Sequence, residues 1–332
     1  MKKISVIIPV YNASETLAAT VEAIKNQTYS DWEIILVNDG SKDGSLELCK
    51  SLAGACEKIR LIDKPNGGVV SAYKKGIENA CGDYIAFCDA DDTYQPDYLE
   101  RAEKKLTESN CDFISFACTI KDGDESHIEK NAAEDGLYDK ERIQKEILPF
   151  CLFNDFIPGS YYKVHVYRWN KVYKKELVER FLDQLDEKCF QVEDNIFTTL
   201  AILNADSFLI DNTSVYNYLL RPQSITTGCS DNLIDKYAYS LSVLKCLTEK
   251  YLADYNPKQF NFLAYENFRI VLRRIAKGAD FKTTKAAIKK VRKTNYIDCV
   301  KLSEISLLKN YLFYFCYHTK MDLLLYLTFK LL

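Results

Sequence analysis

The feature that most constrains the fold of this chain is a set of four short apolar runs near its N-terminus. The runs are largely continuous rather than alternating, although the third is short and contains Arg60, and each is followed by residues with the apolar spacing of an amphipathic helix. Strands that are apolar on both faces are typical of a parallel sheet covered by helices. The pattern predicts an α/β fold with strands at 4–10, 32–38, 59–63 and 84–88 and helices at 14–27, 44–56, 68–80 and 96–109. Ser14 is the predicted N-cap of the first helix, and Pro96 is placed in the first turn of the fourth.

Polar or turn-forming residues follow every one of these runs, in the loops 9–12, 38–41, 64–68 and 89–92. In open α/β sheets ligands bind at the carboxyl ends of the strands, so we expect the four loops to share one site. The first loop has no G-x-G-x-x-G sequence, which argues against a dinucleotide cofactor. In the second loop, Asp39 can accept a hydrogen bond from a base edge or a ribose, whereas Asp43 is interpreted as a turn or capping residue.

The fourth loop carries three carboxylates, Asp89, Asp91 and Asp92, directly after the apolar run YIAFC. Like charges this close cost free energy unless a positive group lies among them. The residues alone leave three interpretations open. The carboxylates hold a divalent metal that binds a diphosphate, or the first is the nucleophile of a phosphatase with an Asp-x-Asp-x-Thr sequence. In the third interpretation the cluster is an acidic turn that caps the helix near Pro96.

Several motifs occur in a fixed order along the chain. They are SVIIPVYN (5–12), ILVNDGSKDGS (35–45), NGGVVSAYKKGI (66–77), GDYIAFCDADD (82–92), RWNKVYKKEL (168–177), VEDNIF (192–197) and YNYLLRPQSIT (216–226). In this order and spacing they resemble the family-2 inverting glycosyltransferases of the GT-A fold. The resemblance implies a Rossmann-like α/β domain with a mostly parallel mixed sheet, and it leaves little room for the phosphatase interpretation.

The resemblance also implies a site for a nucleotide-sugar donor, typically a UDP-sugar. It places the base edge at Asp39, the ribose at Asp89 and a metal ion, Mn²⁺ or Mg²⁺, at Asp91, with Asp89 as a further ligand. Asp92 is expected to support the metal site or to cap a helix. The residues expected to bind the donor are Pro9, Val10, Tyr11, Glu15, Asp39, Asn66, Gly67, Asp89, Ala90, Asp91, Arg221 and Ser224.

Glu193 and Asp194 open a second acidic site. Taken alone, two adjacent acids before a helix-like run are typical N-terminal charges that favour the helix dipole. By resemblance, Asp194 is the general base that takes a proton from the acceptor hydroxyl, and Glu193 supports the acceptor. The residues expected on the acceptor side are Trp169, Asn170 and Lys171, although core packing explains Trp169 almost as well.

One position departs from the family pattern. Tyr73 and Lys74 stand where many members carry Arg-Asn, and that arginine usually lies near the nucleotide. The charge could instead come from Lys64, Lys74 or Lys75. The identity of the donor sugar should therefore not be transferred from relatives.

Two further segments carry weaker predictions. Residues 121–147 are polar and acidic, which predicts a surface excursion or a surface helix between two sheet segments. His165 is expected to be a strand residue without a catalytic role, and His127 lies in the acidic excursion.

The C-terminal part differs in charge and pattern. Residues 269–332 contain 14 Lys and Arg against 4 Asp and Glu, and the pattern is helical from about 230 onward. We expect a transferase domain at 1–230, with a nucleotide-binding part at 1–120 and an acceptor part at 150–230, followed by a helical region at 231–332. That region is either an ordinary amphipathic subdomain or an attachment to an anionic inner-membrane surface.

The resemblance therefore implies a metal-dependent inverting glycosyltransferase that moves a sugar to a hydroxyl of a lipid-linked glycan in capsule, exopolysaccharide or lipopolysaccharide synthesis. No nucleic-acid-binding motif is visible. The chain shows neither a signal peptide nor an apolar stretch of about 20 residues, and its twelve cysteines fit reduced core residues. These features predict a cytoplasmic protein, peripheral on the inner membrane. The alternative is a non-catalytic sugar-nucleotide-binding or assembly subunit, which Tyr73 favours and the acids Asp91 and Asp194 oppose.

Overall fold

We describe a computed structural model of the chain that covers residues 2–150, 152, 162–221, 232–252, 257–297 and 308–331. The chain folds as two units. Unit 1 comprises Met1–Cys151, Phe156–Lys188 and Glu193–Arg221, and unit 2 comprises Leu152–Asp155, Cys189–Val192 and Pro222–Leu332. The predicted domain boundary near 230 falls in 222–231, outside the described residues.

Unit 1 is built on one mixed sheet. Its strands are β1 (Ile4–Val10), β2 (Trp32–Asp39), β3 (Ile59–Lys64), β4 (Tyr84–Phe87), β5 (Thr93–Tyr94), β6 (Phe113–Asp122), β7 (Glu125–Glu129), β8 (Gly136–Asp139), β9 (Lys171–Lys174) and β10 (Ser207–Leu219). Their order is β3-β2-β1-β4-β9-β6-β10-β5, with β7 beside β6 and β8 beside β10. The ladders β3–β2, β2–β1 and β1–β4 are parallel, so the carboxyl ends of these strands lie along one edge.

The second half of the sheet mixes directions. Strand β9 runs antiparallel to both of its neighbours, β4 and β6, whereas β6 and β10 are parallel. Strand β9 therefore brings the chain after residue 162 next to the end of β4. The predicted α/β architecture with a mixed sheet is confirmed.

Helices pack against this sheet. They are α1 (Leu17–Lys25), α2 (Ser45–Ala55), α3 (Val69–Asn79), α4 (Tyr98–Ser109), α5 (Lys140–Arg142), α6 (Lys175–Glu179) and α7 (Glu193–Asn204), with π and 3-10 turns at Ile143–Ile147, Leu148–Phe150 and Leu182–Gln184. Two predicted helix starts are wrong. Thr16 holds the N-cap position of α1, because the Ser14 amide donates to Asp43 in the neighbouring loop. Asp97 holds that position in α4, so Pro96 lies before the helix.

Residues 121–147 form no long surface helix. Strand β6 continues to Asp122, turns at Gly123 with a φ of 58°, and returns as β7, followed by β8 on the edge of β10. The predicted excursion is therefore a hairpin. Its polar composition reflects the exposure of β7 rather than the absence of a strand.

An aromatic cluster joins helices α3 and α7 to the sheet. The rings of Tyr73, Phe87, Tyr173 and Phe197 meet edge to face, with centroids 5.3–6.2 Å apart. Rings in this arrangement place a positive edge against a negative face, which adds to the free energy gained from their burial. The cluster fixes α7, and with it the acidic first turn of that helix.

Unit 2 consists, in its described part, of helices. These are α8 (Leu233–Tyr251), α9 (Pro257–Gly278), α10 (Phe281–Thr294), α11 (Leu308–His318) and α12 (Asp322–Leu331). The short segment Cys189–Val192 belongs to the same unit, since the Phe190 amide donates to Ser240 Oγ on α8 at 2.8 Å.

The nine described cysteines are free thiols, and six of them are buried; Cys81 and Cys246 are exposed and Cys56 is partly exposed. Among the described helices, none combines the length and the apolar character needed to cross a lipid bilayer.

Candidate active site

Hydrogen bonds between loops gather the carboxyl ends of β1, β2 and β4 into one surface. The Asn12 amide donates to Ser41 Oγ at 3.1 Å, and the Ala13 amide donates to Ser45 Oγ at 2.8 Å. On the other side, Thr16 Oγ1 donates to the Ala90 carbonyl at 2.8 Å. The predicted gathering of the loops at one edge is thus a property of the structure.

Asp39 connects the loop after β2 to the loop after β3. Its two carboxylate oxygens accept the Gly67 and Gly68 amides at 2.9 and 2.8 Å, and Lys64 forms an ion pair with it. Gly68 has a φ of 89°, a conformation that side chains rarely adopt, so glycine is needed where the amides converge. Asp39 is only 3% exposed, and its contacts hold the loop after β3 against the end of β2.

Asp92 holds the acidic loop, residues 89–92, in place through buried hydrogen bonds. It is fully buried and accepts hydrogen bonds from Tyr216 Oη and the Leu219 amide, each at 2.8 Å. Burial raises the pKa of Asp92 to about 9. It does not cap α4, whose N-cap position belongs to Asp97. Asp92 therefore fastens the loop after β4 to β10.

Arg168 is the residue that the sequence interpretation missed. Its guanidinium is 3% exposed and forms ion pairs with Asp89, at 3.0 Å, and with Asp194. It thereby joins the loop after β4 to the first turn of α7. The burial of Arg168 between two carboxylates supplies the positive charge that the acidic cluster requires. The only sequence signal was its place directly before Trp-Asn-Lys.

Tyr73, at the usual arginine position, is part of the aromatic core. It is 1% exposed, and the Arg168 guanidinium carbon lies 5.2 Å from the centre of its ring. The three lysines considered as substitutes are engaged elsewhere. Lys64 pairs with Asp39, Lys74 lies 3.7 Å from Glu187, and Lys75 pairs with Glu78 at 3.0 Å. Among the side chains of the described residues, Arg168 forms the ion pair with Asp89 of the acidic cluster.

Glu193 and Asp194 begin α7 next to this ion-pair network. Burial and the neighbouring Asp194 raise the pKa of Glu193, and its Oε2 atom is buried without a hydrogen-bond partner in the described structure. The side chain of Asp194 is 24% exposed and faces Arg168. Burial also raises the pKa of Asp89, against the opposing effect of Arg168. Three acids therefore surround one guanidinium.

Asp91 differs from its two neighbours. Within the described part of the chain, no ion pair or hydrogen bond from another side chain reaches its carboxylate, and burial raises its pKa. A carboxylate of this kind fits a divalent cation. No group of three His, Cys, Asp or Glu side chains is arranged to hold an ion among the described residues. Mn²⁺ or Mg²⁺ would then need substrate phosphate oxygens to complete its coordination, which is usual for these ions.

The segment before β9 is built from buried side chains. The indole of Trp169 stacks between aromatic rings, 4.6 Å from Tyr167 and 4.2 Å from Tyr216. Asn170 donates to the Phe116 carbonyl at 2.6 Å, and Lys171 donates to the His165 carbonyl at the same distance. Burial lowers the pKa of Lys171 to about 7. These contacts support the core-packing interpretation of Trp169, and the acceptor role stays a prediction.

The other expected donor residues occupy the same edge with different exposure. Tyr11 is 38% exposed, whereas Val10 is fully buried, so that only its backbone is available to a ligand. Arg221 Nη2 donates to the Asp91 carbonyl at 3.5 Å. Asn66 donates to the Asp39 carbonyl at 2.9 Å. Pro9 is half-buried and Glu15 is exposed, and Ser224 lies outside the described residues.

A mixed sheet with carboxylates and basic groups at the carboxyl ends of β1, β2, β3 and β4 defines an α/β protein of the GT-A type. Residues 5–186 match the model of the family described as glycosyl transferase family 2. The match extends over more than half of the chain, which therefore belongs to this family. The predicted family and fold class are confirmed.

Curated relatives are similar over most of this chain. GlyA of Streptococcus pneumoniae serotype 4, a glycosyltransferase, is 28% identical over 264 residues, which are 76% of this chain and 36% of GlyA. EpsH of Bacillus subtilis is 30% identical over 235 residues, which are 70% of this chain and 65% of EpsH. The chain thus spans less than two thirds of each of these relatives.

Solved structures share the fold at low sequence identity. TarS of S. aureus in complex with UDP has a TM-score of 0.60 and 15% identity, with 99% of this chain and 90% of that chain covered. TarS has also been solved with UDP-GlcNAc. The mannosyltransferase PcManGT of Pyrobaculum calidifontis, in complex with GDP-Man and Mn²⁺, has a TM-score of 0.54 and 16% identity, with coverage of 99% and 86%.

Proposed function

We propose that the protein transfers a sugar, with inversion, from a nucleotide-sugar donor to a hydroxyl group of a glycan. The single observation that carries the proposal is the bridge from Asp89 through Arg168 to Asp194. It brings the carboxyl group of Asp194 beside the acidic loop that, by family membership, would face the donor. Inverting transfer requires one such carboxylate and no protein nucleophile.

The donor we propose is a UDP-sugar. Support comes from TarS, which shares the fold and binds UDP and UDP-GlcNAc. The exposed ring of Tyr11 and the loop held by Asp39 would enclose the base, with Asn66 and Gly67 lining its edge. Asp89 would accept a hydrogen bond from the ribose, and Arg221 lies where it can face the phosphates from the side of Asp91.

Asp91 would be the principal ligand of a divalent metal, Mn²⁺ or Mg²⁺, with Asp89 beside it. The presence of Mn²⁺ with GDP-Man in PcManGT supports this choice of metal. Such an ion, when bound, supplies a Lewis acid that stabilises negative charge on the departing nucleoside diphosphate. The contribution of Asp91 itself is a carboxylate that is partly desolvated and not committed to any other side chain of the described structure.

In the proposed reaction Asp194 accepts the proton of the acceptor hydroxyl while the oxygen attacks the anomeric carbon. The bond from that carbon to the nucleoside diphosphate breaks on the opposite face. The ion pair with Arg168 fixes the direction of the Asp194 carboxylate. Glu193, with its raised pKa and unpartnered Oε2, would hold or orient the acceptor.

The acceptor we propose is a lipid-linked glycan of a bacterial capsule, exopolysaccharide or lipopolysaccharide, modified at the cytoplasmic face of the inner membrane. Trp169, Asn170 and Lys171 would act through the shape they give to the segment before β9. A non-catalytic sugar-nucleotide-binding subunit is the alternative function. It is favoured by the tyrosine at position 73 and opposed by the intact carboxylates Asp91 and Asp194.

The first test is a nucleotide-release assay with Mn²⁺ and a panel of UDP-, GDP- and dTDP-sugars, beside an EDTA control. We expect metal-dependent hydrolysis of one donor, with release of UDP. The Asp194→Asn variant should lose about a hundredfold or more of this activity, since general-base catalysis typically contributes 10²–10⁴-fold. It should still bind UDP. Asp124→Asn, at the exposed turn before β7, is the matched control.

The outcomes separate the two functions. Full activity in Asp194→Asn, together with loss in Glu193→Gln, would transfer the base role to Glu193. Binding of UDP without turnover in any variant, even with a glycan acceptor added, would favour the non-catalytic subunit. Phosphate release that ignores the nucleotide would exclude both.

A further inference from the structure

Helix α10 presents a row of lysines on its outer face. Lys282, Lys285, Lys289 and Lys293 are all exposed and recur at spacings of three and four residues, which places them on one side of the helix. The opposite side is buried. Its residues are Thr284, Ala287, Ile288 and Val291.

Helix α12 carries leucines on its solvent-exposed side. The exposed fractions are 55% for Leu323, 39% for Leu324, 46% for Leu327 and 86% for Leu331, whereas Leu325 and Phe329 face the core of unit 2. A helix on the surface of a globular protein normally turns polar side chains outward. Four exposed leucines on one helix face form an apolar patch of the kind that marks an interaction surface.

Contacts between the two helices make the lysine row and the leucine face neighbours. Arg292 at the end of α10 donates to Asp322 Oδ1, at the start of α12, at 2.7 Å. Near the other end of α10, the rings of Phe281 and Tyr326 lie 5.6 Å apart, and Lys285 Nζ lies 5.6 Å from the Phe281 ring. Helices α10 and α12 are therefore antiparallel neighbours. The lysine row of α10 lies beside the line of contact between the two helices, and the leucines of α12 lie on the other side of that line.

Helix α11, which packs against α12, carries further exposed apolar side chains. Phe315 and Leu312 are 54% and 41% exposed on one face of α11, and Met321, at 43%, lies between α11 and α12. We call the surface formed by the lysine row, the four leucines and these three residues the basic–apolar face. No acidic residue belongs to it among the described positions of α10, α11 and α12, because Asp322 is buried against Arg292.

We propose that the basic–apolar face docks unit 2 onto the surface of an anionic lipid bilayer. Leucine and phenylalanine side chains enter the boundary between headgroups and acyl chains, and the adjacent lysines neutralise anionic headgroups. The charge of the face decides between occupants: a second copy of this chain would bring lysines against lysines. The docking stands apart from the proposed reaction, because every residue of the face lies in unit 2 and none contributes to the candidate active site.

Co-sedimentation of the full chain with lipid vesicles tests the proposal. We expect binding to phosphatidylcholine vesicles that contain about a third phosphatidylglycerol, and much weaker binding to phosphatidylcholine alone. Higher salt should weaken binding, since exposed charges are screened. Replacing the four lysines by glutamine should lower binding about tenfold or more, and so should Leu323→Ser with Leu327→Ser.

Matched variants keep the test specific. Four exposed lysines elsewhere, Lys50, Lys104, Lys130 and Lys188, are replaced by glutamine as the charge control. Ile128→Ser with Leu137→Ser is the apolar control, since both side chains are exposed in unit 1. Controls should bind vesicles as the unchanged chain does. Melting curves for all variants exclude loss of binding by unfolding.

Three outcomes would overturn the proposal. One is the absence of binding to anionic vesicles by the unchanged chain. Another is binding that neither the lysine nor the leucine variant reduces. The third is self-association in solution that the leucine variant abolishes while vesicle binding persists, which would make the leucines a contact between copies. UDP release, measured on the same variants, should stay unchanged, so failure of docking and failure of the proposed reaction are distinguishable.

Discussion

Arg168 shows how a buried charge is compensated at the scale of one residue. A guanidinium that is 3% exposed would be costly without partners, and here it has two carboxylates and lies near the Tyr73 ring. The compensation works in both directions, because Asp89 and Asp194 would repel each other without it. We therefore infer that the side chains of Asp89, Arg168 and Asp194 are energetically coupled, so that replacing one of them changes what the other two contribute to stability.

Replacing Arg168 with glutamine should destabilise the fold by about 3–5 kcal/mol, because it leaves uncompensated buried charge. Urea unfolding at neutral pH measures the change. Adding Asp89→Asn to the Arg168→Gln variant should recover part of the loss, since one of the repelling carboxylates is then neutral. Arg180→Gln, which removes a half-exposed arginine at the surface, is the control and should change stability by less than about 1 kcal/mol. A purely additive double variant would contradict the coupling.

His165 predicts how stability depends on pH. Burial, together with the charge of Lys171, lowers the pKa of His165 from 6.5 to about 4, although Glu129 Oε1 lies 3.8 Å from Nδ1. The unfolded chain takes up a proton below pH 6.5 and the folded chain does not. The stabilisation is therefore complete above that pH and is lost as the pH falls toward about 4.

The free energy of unfolding should drop by about 1.5 kcal/mol between pH 6.5 and pH 5 through His165 alone. Urea unfolding at a series of pH values measures this slope, and His165→Gln should remove it. His127→Gln, on the exposed strand β7, should leave the slope unchanged. If the His165 variant kept the slope, another group would be responsible.

The sequence predicted which strand ends come together, whereas the partners of the side chains there were not predicted. Asp39 ends β2, and Asp89 and Asp91 follow β4, at one edge of the sheet as expected, and the ion pairs of Arg168 bring Asp194 of α7 beside Asp89. The roles of these residues in binding and catalysis stay predictions. Arg168 was missed because its partners are 79 and 26 residues away in sequence, and no local pattern records such a pair. Of the two roles expected for Asp92, the helix cap is wrong, and its hydrogen bond with Tyr216 was not predicted because Tyr216 is 124 residues distant.

At the scale of elements, the contact between α3 and β1 explains a glycine inside a helix. A Cβ atom added at Gly76 would collide with Ile7 Cγ2 and lie 3.2 Å from Ile7 Cγ1, and Ile7 is fully buried. Glycine normally destabilises a helix interior by about 1 kcal/mol relative to alanine. Because Gly76 has no side chain, α3 can approach strand β1 closely. This position of α3 brings Gly67 and Gly68, just before the helix, to Asp39.

Gly76→Ala should therefore destabilise the protein by about 1–3 kcal/mol, despite the better helix propensity of alanine, because the core is overpacked. Gly54→Ala on α2 is the matched change, since nothing lies within 4 Å of its added Cβ. That variant should gain up to about 1 kcal/mol. Urea midpoints of the two variants should move in opposite directions. A stabilising Gly76→Ala would show that α3 lies farther from β1 than the structure has it.

Elements with a strong pattern were predicted within a few residues of their positions. Strands β1, β2 and β4 are buried, mostly apolar runs, as expected of strands in the middle of a covered sheet, whereas β3 at the sheet edge is shorter and more polar. The hairpin of β6 and β7 was not predicted, because β7 is exposed and its residues lack the apolar alternation of a half-buried strand. The antiparallel insertion of β9 between β4 and β6 depends on long-range pairing, which no local pattern encodes.

At the scale of the whole molecule, the loops at the carboxyl ends of the strands in unit 1 carry more negative than positive groups, so a bound ligand that brings positive charge would be favoured. Asp91 has no side-chain partner in the described structure, and the pKa values of Asp91, Asp89 and Glu193 are raised by burial. A bound cation would relieve this accumulation of acid. Ligand binding should therefore stabilise the folded chain, and metal and nucleotide should assist each other.

UDP with Mn²⁺, each at about 100 times its dissociation constant, should add about 2.7 kcal/mol per bound ligand. For a domain of about 150–250 residues, such a gain raises the melting temperature by about 5–10 °C. Differential scanning fluorimetry with UDP, GDP and dTDP, each with Mn²⁺ or EDTA, measures the shift. Asp91→Asn should abolish the part that depends on Mn²⁺, and Asp124→Asn should keep it. An equal shift in EDTA would remove the metal from the proposal, whereas no shift with any nucleotide would refute the donor site itself.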